Sequence, residues 1–195
     1  TSSTTGVIYK GTSPFIHNYK AAGCNGNNVF LGEFAGNFTM TGGAALSASN
    51  NVGLGYYALN SLSSGYDNTA IGSEALKVNS TGYENTAVGR YSLYSNTSGT
   101  SNVAMGDQSM YENKLGKNNT AIGKSSMNSV TSASYNVAIG ESALYNLNYS
   151  NNLNFWASAN TAIGNDALRN LNASSINNGI NNTALGYRAG YGVYG

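Results

Sequence analysis

The sequence predicts a mainly β protein: a parallel β-solenoid (a β-helix or β-roll) of about nine coils, each a short strand plus a helical turn or bend. Three observations predict it. First, one phrase recurs: Asn, Thr or Val, a third residue that is mostly Ala, an aliphatic residue, then Gly. It begins at Asn28, Asn51, Asn68, Asn85, Asn102, Asn119, Asn136, Asn160 and Asn182. Second, the five intervals between Asn51 and Asn136 are each 17 residues. A fixed short period marks a chain that stacks one supersecondary unit on the next. Third, the residue after the phrase Gly alternates in sign over four successive copies: Arg90, Asp107, Lys124 and Glu141. In-register coils would bring these within about 4.8 Å of one another, where like charges repel.

The chain divides into an N-terminal lead-in (1–27), the repeat solenoid (28–190) and a short tail (191–195). In the lead-in, Val7, Ile8, Tyr9, Phe15 and Ile16 have strand character, broken by Gly11 and Pro14. This segment is expected either to cap the first coil or to be donated as a strand to a neighbouring subunit.

Within a coil, Asn68-Thr69-Ala70-Ile71-Gly72 is brief, β-branched and bounded by Gly, which suits a short strand. The phrase Asn is expected to form an amide ladder from coil to coil or to act as a turn former. After the phrase comes an Ala-Leu pair in several copies, as at Ala75-Leu76. An apolar residue three places after the Leu position, as at Leu59/Leu62, fits about one turn of helix. A two-strand coil is the alternative. Gly65, Gly82, Gly99 and Gly116 close the regular turns and are expected to supply positive φ.

Side chains alternate faces along a strand. Thr69 and Ile71, and their equivalents, share one face, and the large aliphatic is assigned to the interior. Ala70, Ala87, Ala104, Ala121, Ala138, Ala162 and Ala184 then align as an outward stripe of small residues, a candidate assembly surface. The opposite orientation, with Ala inside and Ile outside, is the alternative.

Three intervals are longer: 23 (51−28), 24 (160−136) and 22 (182−160). Their extra residues fall at one point of the repeat, within 37–50, 145–159 and 170–181. Insertions at one point gather on one flank, often the binding flank. The second holds Phe155 and the only Trp, Trp156, as candidates for ligand or subunit contact; covering the solenoid flank is the other reading. In the first and last copies the Ala-Leu pair is replaced by Ala35-Gly36 and Ala189-Gly190, as suits atypical end coils.

Composition excludes several classes. The 195 residues carry a net charge of +1 and only 9% charged residues, so there is no basic stripe for nucleic acid. No apolar run is long enough to insert in a membrane. The single His17 and single Cys24 cannot build a metal cluster. Cys24 is expected to be buried or to pair between subunits. No catalytic, cofactor or metal residue is nominated, and the chain is not expected to be an enzyme. An opening at Thr1, with no Met and no signal-like segment, fits a processed exported chain or a piece of a longer one.

Asn-Thr-Ala-Ile-Gly at Asn68, Asn119 and Asn160, with the Ala-Leu pair, resembles a repeat of bacterial surface fibres and phage tail fibres. Gly6-Val-Ile-Tyr-Lys, Phe15-Ile-His, Phe30-Leu-Gly and Asn37-Phe-Thr-Met-Thr-Gly42 resemble the lead-in to that array. The core phrase is similar to the head repeats of trimeric autotransporter adhesins, which are parallel β-rolls, though the period here is longer. The resemblance implies an extracellular location or one on a cell or virion surface, and the lack of catalytic chemistry leads to the expectation of a non-enzymatic role. The expected partner is the chain itself, assembling by end-to-end or lateral contacts into a filament. The alternative is a glycan- or receptor-binding segment of a tail fibre or adhesin. Ice binding by a Thr ladder is set aside, because Val103 and Val137 interrupt the ladder and its position is assigned inward.

Overall fold

The computed structural model describes residues 7–41, 44, 47–147, 156–171 and 179–192. They form a parallel β-solenoid without any helix. Its strands are β1 (Ile8–Lys10), β2 (Ser13–His17), β3 (Val29–Leu31), β4 (Val52–Leu54), β5 (Thr69–Ile71), β6 (Thr86–Val88), β7 (Val103–Met105), β8 (Thr120–Ile122), β9 (Ala133–Ser134), β10 (Val137–Ile139), β11 (Trp156–Ala157), β12 (Thr161–Ile163) and β13 (Thr183–Leu185). Eleven of them make one sheet, in the order β1-β2-β3-β4-β5-β6-β7-β8-β10-β12-β13. From β3 onward every pair is parallel, and phrase pairs with phrase residue for residue. The longer intervals do not shift this register, because Val137 still pairs with Thr161 and Thr161 with Thr183.

The rest of each coil is a bend, not a helical turn. Glu74 and Leu76, and their equivalents, lie at positive φ, as does the residue just before the phrase Asn. Each such non-Gly residue costs about 1–2 kcal/mol in backbone strain. The conformation turns the N–H along the solenoid axis. Glu74 donates to the Tyr56 carbonyl of the coil before, and Leu76 donates to the Ser92 carbonyl of the coil after. From Ala48 onward every non-Gly left-handed residue donates its N–H to a neighbouring coil in this way. The strain thus converts what would be an isolated turn into another hydrogen-bonded rung. Among the described residues a second strand pair appears where β9 meets β11, so the two-strand coil is realised locally.

The third phrase residue points inward. Ala70, Ala87, Ala104, Ala121, Ala138 and Ala162 are fully buried, and Ala184 is 8% exposed. Facing them is a column of large apolar residues: Leu59, Leu76, Leu93, Met110, Met127, Leu144 and Leu168. Three serines, Ser92, Ser109 and Ser126, stand beside that column and donate to the carbonyls of Ala104, Ala121 and Ala138 on the next coil. The interior is too narrow for a large side chain on both walls. The first coil shows why: Phe30 fills the Ala position, and Gly36 takes the place of Leu. A Cβ on Gly36 would stand 2.5 Å from the Phe30 ring, and one on Gly53 would stand 2.8 Å from it.

The phrase asparagines form a ladder through all nine coils, buried from Asn28 to Asn160 and half-buried at Asn182. Each Oδ1 accepts the backbone N–H and the Nδ2 of the next Asn, as from Asn51 to Asn68 at 3.1 and 3.0 Å. Each Nδ2 in the regular coils also reaches a turn carbonyl, as Asn68 to Gly82 at 2.9 Å. A second, shorter ladder runs through Asn79, Asn96 and Asn113. Gly65, Gly82, Gly99 and Gly116 do not have positive φ, contrary to the sequence expectation. They are glycine for space: a Cβ at any of them would collide with the carbonyl oxygen of the next coil.

Candidate interaction surfaces

The inward Ala column removes the predicted assembly stripe. Ala70, Ala87, Ala104, Ala121, Ala138, Ala162 and Ala184 are core residues, so the alternative orientation is the one adopted. The physical reason is volume: Leu or Met already occupies the facing wall, and only a methyl group fits opposite. The outward face of the sheet therefore carries the second and fourth phrase residues. One signal in the sequence could have revealed this. The only copy with a large third residue, Phe30, is also a copy that replaces Leu by Gly, at Gly36. That exchange of volume places both positions in one interior.

The fourth residues form an uninterrupted aliphatic column, and it extends into the lead-in. In register it runs Ile8, Ile16, Leu31, Leu54, Ile71, Val88, Met105, Ile122, Ile139, Ile163 and Leu185, one from each strand of the sheet. None of the eleven is buried. Beside it runs a column of Val and Thr from Val29 to Thr183. The ice-binding position is thus outward, not inward, although Val29, Val52, Val103 and Val137 still interrupt its threonines.

The lead-in folds back on its own chain. Ile16 and His17 of β2 pair antiparallel with Leu31 and Phe30, and β1 pairs with β2. Phe15 and Ile16 therefore lie in a strand held between two others of the same chain, and the Phe15 carbonyl accepts from the Gly32 N–H. Phe15 is half-buried, with the Lys10 ammonium 5.9 Å from its ring. Val7 is half-buried, while Ile8 and Tyr9 are exposed on the outermost strand. His17 secures this hairpin. Its Nε2 donates to the Ala35 carbonyl at 2.6 Å, its Nδ1 accepts from the Tyr19 N–H at 3.4 Å, and its ring packs on Phe30 and Phe38. Burial pushes its pKa below the ordinary 6.5, against the smaller opposing effect of the Ala35 bond.

Trp156 is 6% exposed, in β11, and belongs to the core cluster. It cannot stack on a ligand from there, and covering the interior is its place. Phe155 lies outside the described residues. An aromatic depression of about 230 Å³ lies instead by the first coil, between Pro14, Phe34, Gly36, Asn37, Phe38 and Asn60. Cys24 is buried and unpaired with another cysteine.

The alternating charges meet in one ion pair, Arg90 Nε to Asp107 Oδ1 at 3.1 Å. Lys124 and Glu141 form none among the described residues. On the same flank Lys77 sits between the rings of Tyr57 and Tyr94, at 4.7 and 5.6 Å, and bonds Glu74 at 2.8 Å. Tyr66 and Tyr83 stack face to face at 4.7 Å on the opposite edge of the sheet. Among the described residues no three of His, Cys, Asp and Glu gather as a metal site, and no helix is long and apolar enough to cross a membrane. No protein-family model, curated protein or solved structure matches the chain.

Proposed function

We propose that the chain is a non-enzymatic structural segment of an extracellular or virion-surface fibre, and that it assembles with itself. The observation that carries this reading is axial continuity. Backbone rungs and an Asn ladder, buried in all but the last coil, run through all nine coils without a break at the longer intervals. Such a body resists bending and extension along one axis, which is what a fibre requires and a catalytic pocket does not. The resemblance to surface-fibre and tail-fibre repeats points the same way. Electron microscopy of native material tests it: elongated fibres containing the chain are expected, and a compact isolated particle would overturn it.

A glycan- or receptor-binding segment is the second reading. Its support is the depression beside Phe34 and Phe38, where aromatic faces meet the side chains of Asn37 and Asn60. Glycan binding that is lost on Phe34→Ala is the expected result if this reading holds.

A further inference from the structure

We propose that the outward face of the eleven-stranded sheet is buried against a second copy of the same chain, parallel to it and coil for coil in register. This names the surface for the self-assembly proposed above.

A sheet face left in water normally alternates polar residues outward. Here the outward column is aliphatic at all eleven positions, including both strands of the capping hairpin. Met105 and Ile71 are 41% and 39% exposed, and the terminal Leu185 reaches 76%. The hairpin is informative because it is not a repeat. Ile8 and Ile16 do not descend from the phrase, yet they continue its column across two antiparallel pairings. Repeat inheritance does not account for that; a continuous apolar contact does.

The dimensions fit. Ten strand spacings of about 4.8 Å give a length of about 48 Å, and two columns about 7 Å apart with their side chains give a width of about 12 Å. Each copy thus offers about 600 Å², so two copies hide about 1,200 Å², above the roughly 1,000 Å² that specific interfaces clear. About half of each copy's area, the aliphatic column, is contiguous apolar surface, within the roughly 300–600 Å² of the largest patches on monomers, which are often functional; the Val and Thr column beside it adds uncharged area. The face has uncharged columns at its centre and polar edges, the usual anatomy of an interface.

Those edges select the orientation. One edge is the residue before the phrase Asn: Asn27, Asn50, Asp67, Glu84, Ser101, Asn118 and Tyr135. The other is the residue after the phrase Gly: Glu33, Tyr56, Ser73, Arg90, Asp107, Lys124 and Glu141. Facing sheets of parallel copies bring one edge against the other, coil by coil. In register, Glu84 of one copy meets Arg90 of the other, and no like charges oppose. A slip by one coil sets Glu84 against Asp107 while it brings Asp67 to Arg90, so the edges discriminate orientation more than register. An antiparallel pair sets the first edge, whose only charges are the acids Asp67 and Glu84, against itself.

Sedimentation equilibrium on the full chain tests the contact. The expected result is a discrete oligomer whose association constant falls at least about a hundredfold in Ile122→Asp, since a carboxylate would have to be buried there. Ser61→Asp, on another side of the coil, leaves it unchanged. Thermal unfolding of Ile122→Asp should show an intact monomer; if that variant does not fold, Ile122→Thr is read in its place. A wild-type chain that is monomeric at every concentration overturns the proposal, and freezing hysteresis from that monomer would give the face to ice. An oligomer indifferent to both Ile122 variants overturns it as well. Spin labels at Ser73→Cys and at Asn165→Cys test orientation: equal inter-copy distances are expected, and unequal ones overturn the parallel orientation. A closed oligomer with no fibre by microscopy upholds this contact while counting against the fibre.

Discussion

Four hydrogen bonds meet on the side chain of Asn102. Its Nδ2 donates to Asn85 Oδ1 and to the Gly116 carbonyl, and its Oδ1 accepts from the N–H and Nδ2 of Asn119. The side chain is fully buried, so water cannot replace a lost partner. Asn102→Ala is expected to cost about 3 kcal/mol, seen as a lower urea midpoint, because the Asn119 N–H is left unpaired. The shorter ladder behaves differently. Asn113 Oδ1 has no donor, since the next coil presents Val130 at that position. Leu62, Leu147 and Leu171 fill the same column elsewhere and are buried. Replacing Asn96 alone by Leu orphans Asn79 Oδ1, whereas replacing Asn79, Asn96 and Asn113 together by Leu removes donors with acceptors. The triple variant is therefore expected to be less destabilised than the single one, by urea unfolding.

At the scale of elements, the capping hairpin and the bends decide how a coil begins and closes. The neutral His17 ring donates from Nε2 and accepts at Nδ1, and a proton on Nδ1 would face the Tyr19 N–H. Its pKa is lowered in the folded chain by burial. The unfolded chain therefore binds the proton more readily below pH 6.5. Stability is complete above that value and falls as pH drops from it towards the folded pKa. Thermal melts from about pH 7 to about pH 5 should show this slope, and His17→Gln should flatten it. The closing glycines give a steric prediction. Gly99→Ala places a methyl group between Asn96, Asn113 and the Gly116 carbonyl, and is expected to cost about 3 kcal/mol in chemical denaturation.

Period, strand position and the amide ladder were legible in the sequence because each repeats as identical letters at identical spacing. The bend was not. Positive φ at Glu74 and Leu76 leaves no mark in residue type, because hydrogen bonding to adjacent coils imposes it on whatever residue stands there. The three-residue spacing from Leu59 to Leu62 resembles a helical turn but arises from two inward positions around a bend. Face assignment failed for a related reason. In a sheet backed by a wide core the larger residue belongs inside, but a coil this narrow admits nothing larger than Ala opposite Leu or Met. Of the two readings of Trp156, covering the flank is the one its burial fits, because its insertion adds a strand to the second, two-stranded sheet.

For the whole molecule, each coil touches chiefly its two neighbours, so stability is a sum of nearly equivalent interfaces. Deleting residues 85–101, one full period, brings Asn102 into the place of Asn85 with both ladders in register. The shortened chain is expected to fold with the same circular dichroism and a melting temperature lowered by a few degrees, and a molten product would refute the modular stack.

The aliphatic column lies on the same windings as the amide ladder, which ties grip to reach. A gene that duplicates one seventeen-residue unit lengthens the rod by one step and adds one more apolar tooth at the same stroke. Longer descendants would hold their twins more firmly without any new mutation on the contact side.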